Sequence, residues 1–178
     1  MLVYHARITA AEDYLERRTP HRQVHLERLL GLRAQGFLIG GGPAPDGHTA
    51  DVFYRVPQSS DIVQLIEEDP YFLAKVWTGY ALGTFAQFVE PWELPPLVTD
   101  GSRRVMLVEG IAEQPDMATF VLIELRGAGR LVFGGFFEDG AALALMKTPD
   151  PDAALGWLAE TGFWKDGSLT ARPLLHVL

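Results

Sequence analysis

The sequence predicts an α+β protein made of two successive halves, each reading β-α-β-β-α-β. Three observations carry this prediction. Strand-like alternation and helical spacing recur in the same order along both halves, a proline-rich stretch separates them, and a glycine-bearing segment occurs twice at matching places.

Leu2 to Ile8 alternates, with Leu2, Tyr4, Ala6 and Ile8 on one side and Val3, His5 and Arg7 on the other, so it reads as a strand. From about Ala11 to Gln35 the positions Val24, Leu26, Leu29, Leu30 and Leu32 keep helical spacing. Pro20 breaks the first part from the second, and Gly36 ends the helix. Phe37-Leu38-Ile39 reads as a short strand, GGGPAPDG as a turn-rich connection, and Asp51 to Val56 as another strand closed by Pro57. Ser59 or Ser60 is placed to cap a helix carrying Ile62, Val63, Leu65 and Ile66, after which Tyr80 to Val89 alternates as a last strand. The order is that of a split βαβ sheet with two helices on one face.

PWELPPLVTDG follows, and its prolines cannot continue a central strand. The predicted organisation is therefore a first domain over residues 1–93, a linker over 94–102 and a second domain over 103–178. In the second, Arg104 to Ile111 reads as strand, Asp116 to Leu125 as helix, and Arg130 to Phe136 and Ala141 to Met146 as strands. Asp152 to Ala159 reads as helix and Leu169 to Val177 as the closing strand. RAQGFLIGGG at Arg33–Gly42 overlies RGAGRLVFGG at Arg126–Gly135, and Asp46-Gly47 falls on Asp139-Gly140. One deletion then brings Pro57 onto Pro149. Together these point to an internal duplication. A sheet with helices on one side leaves an apolar face needing cover. The tandem copy supplies it, so the expectation is two halves packed sheet to sheet as an intrachain pseudo-dimer, with room for a further homodimer.

Composition narrows the function. The chain has 178 residues, 48% hydrophobic and 21% charged, enough for an ordinary globular core. Lys and Arg number 15 against 23 Asp and Glu, a net charge of −8, which opposes the field a nucleic-acid backbone requires. Zero cysteines remove disulfides, thiol nucleophiles and Cys-ligated metals. MLVYHARITA lacks a basic segment followed by an apolar stretch, and the longest uncharged run, Val76 to Val89, falls short of a membrane span. The expectation is a cytoplasmic protein without membrane or nucleic-acid partners.

Chemistry-bearing residues are few. His21 and His25 are four apart, but HRQVH has Arg22 where a metalloprotease helix carries its Glu, and no third ligand lies at metal spacing. No metal is expected there. His25 sits among Val24, Leu26 and Leu29, and Asp69, just before Pro70, is held where a helix ends and the chain turns. An Asp that fixes a His tautomer makes that His a usable proton acceptor near neutral pH. The plainer reading has His25 as a part-buried helix residue and Asp69 as a turn former. His5 and Arg7 share one side of the first strand and are candidates to line a cleft or a solvated edge; Tyr54 and Tyr71 complete the candidate substrate contacts. Tyr71-Phe72 and Trp77 also read as core. GGGPAPDG lacks the P-loop ending and the GxGxxG spacing, and GxSxG is absent.

These residues resemble the YciI-like family of small ferredoxin-like proteins, of the dimeric α+β barrel type. The resemblance rests on Glu16-Arg17-Arg18 followed by Arg22-Gln23-Val24-His25-Leu26, on Gly36 through Gly42-Pro43, on Asp69-Pro70-Tyr71 and on Pro91-Trp92. It covers about residues 1–93. It implies an active site built from His25 and Asp69, and by analogy with isomerases and dehydrohalogenating lyases of similar fold, proton transfer on a small cyclic or aromatic substrate without a cofactor. Arg22 would then place an anionic or carbonyl oxygen. The family pattern is departed from at Gln23, where Pro is common, and at Ala50-Asp51, where Gly-Ser is usual. In the second half His25 overlies Ala118 and Asp69 overlies Thr161, and neither can shuttle a proton at neutral pH. The expectation is a lyase- or isomerase-like enzyme with one site per chain; the alternative is a non-catalytic small-ligand-binding or regulatory module.

Overall fold

Alternation in the first residues builds β1 (Leu2–Ala10), the strand around which the first half of the chain assembles in a computed structural model that describes residues 1–177. Pro20 has the predicted effect. Helix α1 (Tyr14–Arg17) stops ahead of it, a 3-10 turn occupies Thr19–His21, and α2 (Arg22–Ala34) starts afresh. Gly36 follows at φ +80°, a left-handed value that suits glycine and turns the chain into β2 (Leu38–Pro43). Then come β3 (Thr49–Val56), α3 (Asp61–Glu67), the short α4 (Pro70–Leu73) and β4 (Trp77–Val89). The second half contains β5 (Arg104–Ile111), α5 (Pro115–Gly127), β6 (Leu131–Phe137), β7 (Ala141–Met146), α6 (Pro151–Ala159) and β8 (Thr170–Leu175).

The chain divides into two units, one of residues 1–84 with the C-terminal Val177, the other Phe85–His176. In the first, strands lie in the order β2-β3-β1-β4, all antiparallel. In the second, β6-β7-β5-β8 repeats that order, and the end of β4 from Phe85 to Val89 adds to the free side of β6. Both are ferredoxin-like α+β arrangements. The boundary between units thus falls inside β4, whereas the sequence alone places the break after residue 93.

Two local differences from the sequence reading have physical causes. The triglycine segment is strand rather than connection: Gly40, Gly41 and Gly42 pair with Phe53, Val52 and Asp51. Gly41 sits at φ +137°, and a Cβ there would run into the Asp51 carbonyl oxygen, so the strand tolerates only glycine at this position. Asp69 stands where α3 ends and the chain turns, and it also begins a further helix that the sequence reading did not contain. Pro70 after it forces extended backbone, φ −66° and ψ 135°, which is the N-cap conformation for α4. Ser60 stands at the N-cap of α3 without a side-chain capping bond.

Register assigns the faces of the first sheet. Tyr4 lies opposite Tyr54 and Ala6 opposite Val52, while His5 lies opposite Phe53 and Arg7 opposite Asp51. Tyr80, opposite Ile8, donates its hydroxyl to Glu67 of α3 at 2.8 Å. The Tyr4–Ala6–Ile8 side is therefore the helix side, and His5, Arg7, Asp51 and Phe53 share the other. In the second unit the core runs from Val108 and Ala144 through Leu122 to Phe136 and Trp164. No helix among the described residues is long and apolar enough to cross a membrane.

Candidate functional site

Along α2, His25, Leu29 and Leu32 recur on one face and are the buried residues of that helix. His25 is 7% exposed and Asp69 is fully buried. Their side chains meet, His25 Nδ1 lying 2.7 Å from Asp69 Oδ1. The same carboxylate oxygen accepts the backbone N–H of Tyr71 at 2.8 Å, as the N-cap of α4. Its second oxygen, Oδ2, is buried without a hydrogen-bond partner among the described residues. Against an ionised carboxylate, Nδ1 carries the proton and Nε2 keeps its lone pair.

Aromatic rings fix the imidazole plane. Tyr71 stacks on His25 at 3.7 Å between centroids and 9° between planes, and Trp77 meets it edge-on at 5.1 Å. Tyr71 in turn meets Tyr14 edge-on, and Arg18 lies over the Tyr14 ring and donates to its hydroxyl at 3.2 Å. Burial pushes the Tyr71 hydroxyl well above its ordinary value, with Tyr14 and Asp69 adding to the shift and Arg18 and Arg22 opposing it. Tyr54 is shifted in the same direction, by burial first and by the Asp69 carboxylate second, while Arg28 opposes.

Of the residues singled out in the sequence, His25, Asp69 and Tyr71 are brought together. Arg22 is exposed at the first position of α2, its charge felt by Tyr71. Tyr54 is entirely buried and its hydroxyl has no hydrogen-bond partner among the described residues. Tyr71 acts on the imidazole, as its stacking partner. His21 belongs to the 3-10 turn and is the N-cap of α2, and no group of three metal-ligating side chains occurs among the described residues.

His5 and Arg7 lie on the opposite sheet face, where there is a pairing the sequence reading missed. His5 Nε2 is 2.7 Å from Asp51 Oδ1, with both side chains buried and the ring stacked on Phe53 at 5.0 Å. The signal was alternation: once β1 and β3 pair antiparallel, His5, Arg7, Asp51 and Phe53 must share a face. The small residues Gly79, Ala81 and Gly83 of β4 lie opposite Thr9, Arg7 and His5, which limits the side-chain bulk on that face.

The second unit does not hold the His25–Asp69 pair at the positions that overlie it in sequence. Ala118 is fully buried in α5, and Thr161 donates its hydroxyl to the Leu158 carbonyl at 2.6 Å while accepting from Trp164 Nε1.

No protein-family model matches the chain, and no curated protein matches its sequence. Solved structures do match in fold. A candidate monooxygenase from Lactobacillus acidophilus NCFM superposes with a TM-score of 0.66 at 11% identity, over 99% of this chain and 94% of that one. A candidate monooxygenase from Fusobacterium nucleatum subsp. nucleatum gives 0.62 at 7%, over 99% and 92%. A heme-binding protein from Thermus thermophilus gives 0.56 at 10%, over 99% and 92%. At such identities the likeness is one of fold alone, a mixed α+β arrangement.

Proposed function

We propose that the protein is a small-molecule enzyme of the lyase or isomerase kind, related to the YciI-like proteins, in which His25 moves a proton without a cofactor. The observation that carries this reading is the 2.7 Å contact of His25 Nδ1 with the buried Asp69. It leaves Nε2 as the nitrogen with a free lone pair on a ring held by Tyr71 and Trp77. In the reaction, Nε2 takes a proton from a carbon beside a carbonyl or phenol-like oxygen. The C–H electron pair passes into an enolate, and Asp69 stabilises the imidazolium. Arg22 faces the developing oxyanion. The enolate collapses by taking the proton back at another carbon, or by expelling a leaving group with its electron pair, after which the imidazolium gives its proton to the departing anion or to water.

With this goes the reading of the chain as two tandem copies, residues 1–93 and 103–178 joined by 94–102, of which only the first keeps the pair. Its support is the repeated strand order and a shared close approach. Gly41 stands against the Asp51 carbonyl and Val52 Cα, and Gly134 against the Leu143 carbonyl and Ala144 Cα. His5 and Arg7, on the sheet face opposite to His25, take no part in this step.

The test is deuterium wash-in by NMR, across a panel of small phenols, quinones and lactones in heavy water. The proposal expects one compound whose exchange the protein accelerates, with the rate falling about 100-fold or more in His25→Ala and Asp69→Asn variants that melt cooperatively. Parental rates in His25→Ala, or tight binding of a panel member without exchange, contradict it.

A further inference from the structure

A cavity lies within the second unit. It encloses about 540 Å³, within the range of small-molecule sites, and takes walls from Trp92, Arg103, Arg104, Arg126 and Lys147, with Val105 and Leu131 as apolar surface. Four cationic side chains against one carboxylate, Glu93, give this spot the opposite sign to a chain whose net charge is −8.

Two of the cations are pinned in place. Arg103 Nη2 donates to the Pro96 carbonyl and Arg126 Nη1 to the Glu90 carbonyl, each at 2.7 Å. Both acceptors belong to the stretch between β4 and β5, so the arginines are held by backbone and neither uses a carboxylate for this. Arg103 Nη1 and Arg126 Nε remain without an acceptor among the described residues. The Arg126 guanidinium lies 5.0 Å over the Trp92 ring, which is nonetheless 69% exposed and offers a flat apolar surface beside the charges. Arg104 and Lys147 are exposed at the rim.

We infer that this cavity binds a small aromatic carboxylate, its ring against Trp92 and its carboxylate among Arg103, Arg104, Arg126 and Lys147. Planar guanidinium forks match a carboxylate in geometry, and an indole face matches a ring. The site stands apart from the proton-transfer reading and survives its failure.

The test is calorimetric titration of the full chain with 1-naphthoate, its neutral analogue 1-naphthalenemethanol and inorganic phosphate, at low and high salt. Saturable naphthoate binding is expected, weakened at least tenfold by salt and by the double substitution Arg104→Gln with Lys147→Gln, both at exposed positions that leave the fold intact. Trp92→Ala is expected to weaken naphthoate with no effect on melting. Absent naphthoate binding, or binding unchanged in the double variant, overturns the inference. Equal binding of the neutral alcohol removes the role of charge, and equal binding of phosphate removes the aromatic part; either result also overturns it.

Discussion

The two units share a strand order and differ in what they bury. At corresponding places on α2 and α5, the first holds an imidazole and the second a methyl group, Ala118. Where the first has a carboxylate capping a helix, the second has Thr161, whose hydroxyl is spent on the Leu158 carbonyl and the Trp164 indole. A buried neutral alanine and a satisfied hydroxyl are ordinary packing. A buried His–Asp pair with one carboxylate oxygen unpartnered is costly to fold around. The same strand order thus carries plain packing in one unit and a buried polar cluster in the other.

That contrast is open to direct attack. The largest stability effect belongs to Asp69→Ala, which strips His25 of its partner and α4 of its cap; about 3 kcal/mol should be lost in urea denaturation. Thr161→Ala in the other unit should cost only about 1 kcal/mol, a single hydroxyl network. Equal costs would erase the distinction. Next comes the pair of glycines. Gly41→Ala must push a Cβ into the Asp51 carbonyl from a φ that disfavours side chains, and should cost about 2 kcal/mol, whereas Gly134→Ala meets backbone at 3.0 Å and should cost about 1 kcal/mol.

The smallest effect at neutral pH, and the sharpest in pH, is Tyr54→Phe. Burial and the Asp69 carboxylate raise the folded-state pKa of this phenol above its ordinary value near 10. Its contribution to stability is therefore complete below pH about 10. It drains away as pH rises further, because the unfolded chain then releases a proton that the folded chain retains, at about 1.4 kcal/mol per pH unit. Tyr54→Phe should flatten that alkaline limb and, by removing a buried hydroxyl without a partner, change neutral stability by no more than about 1 kcal/mol. Denaturation between pH 8 and 11 checks both statements.

Much of the fold was legible because local pattern and tertiary need agree. β5 and β7 run as alternation and turn residues indicate, and Pro20, Gly36 and Pro70 punctuate the chain where their backbone restrictions require. The triglycine was read as a connection because glycine in strands is disfavoured on average; only the close approach of the Asp51 carbonyl reveals why a strand needs it. His25 and Asp69 are 44 residues apart, so sequence spacing alone does not join them, and a resemblance to a known family added weight to the pairing. His5 and Asp51 are 46 apart and had no motif to join them. Their meeting depends on the β1–β3 register, which the alternation of either strand alone does not contain.

The central claim is that Asp69 holds His25 with its proton on Nδ1 and its lone pair on Nε2. Nitrogen-15 NMR of the imidazole, across pH in the parent and in Asp69→Asn, tests it most directly. The account predicts the Nδ1–H tautomer in the parent near neutral pH and its loss in the variant. A dominant Nε2–H tautomer in the parent, or spectra that Asp69→Asn leaves unchanged, would contradict it.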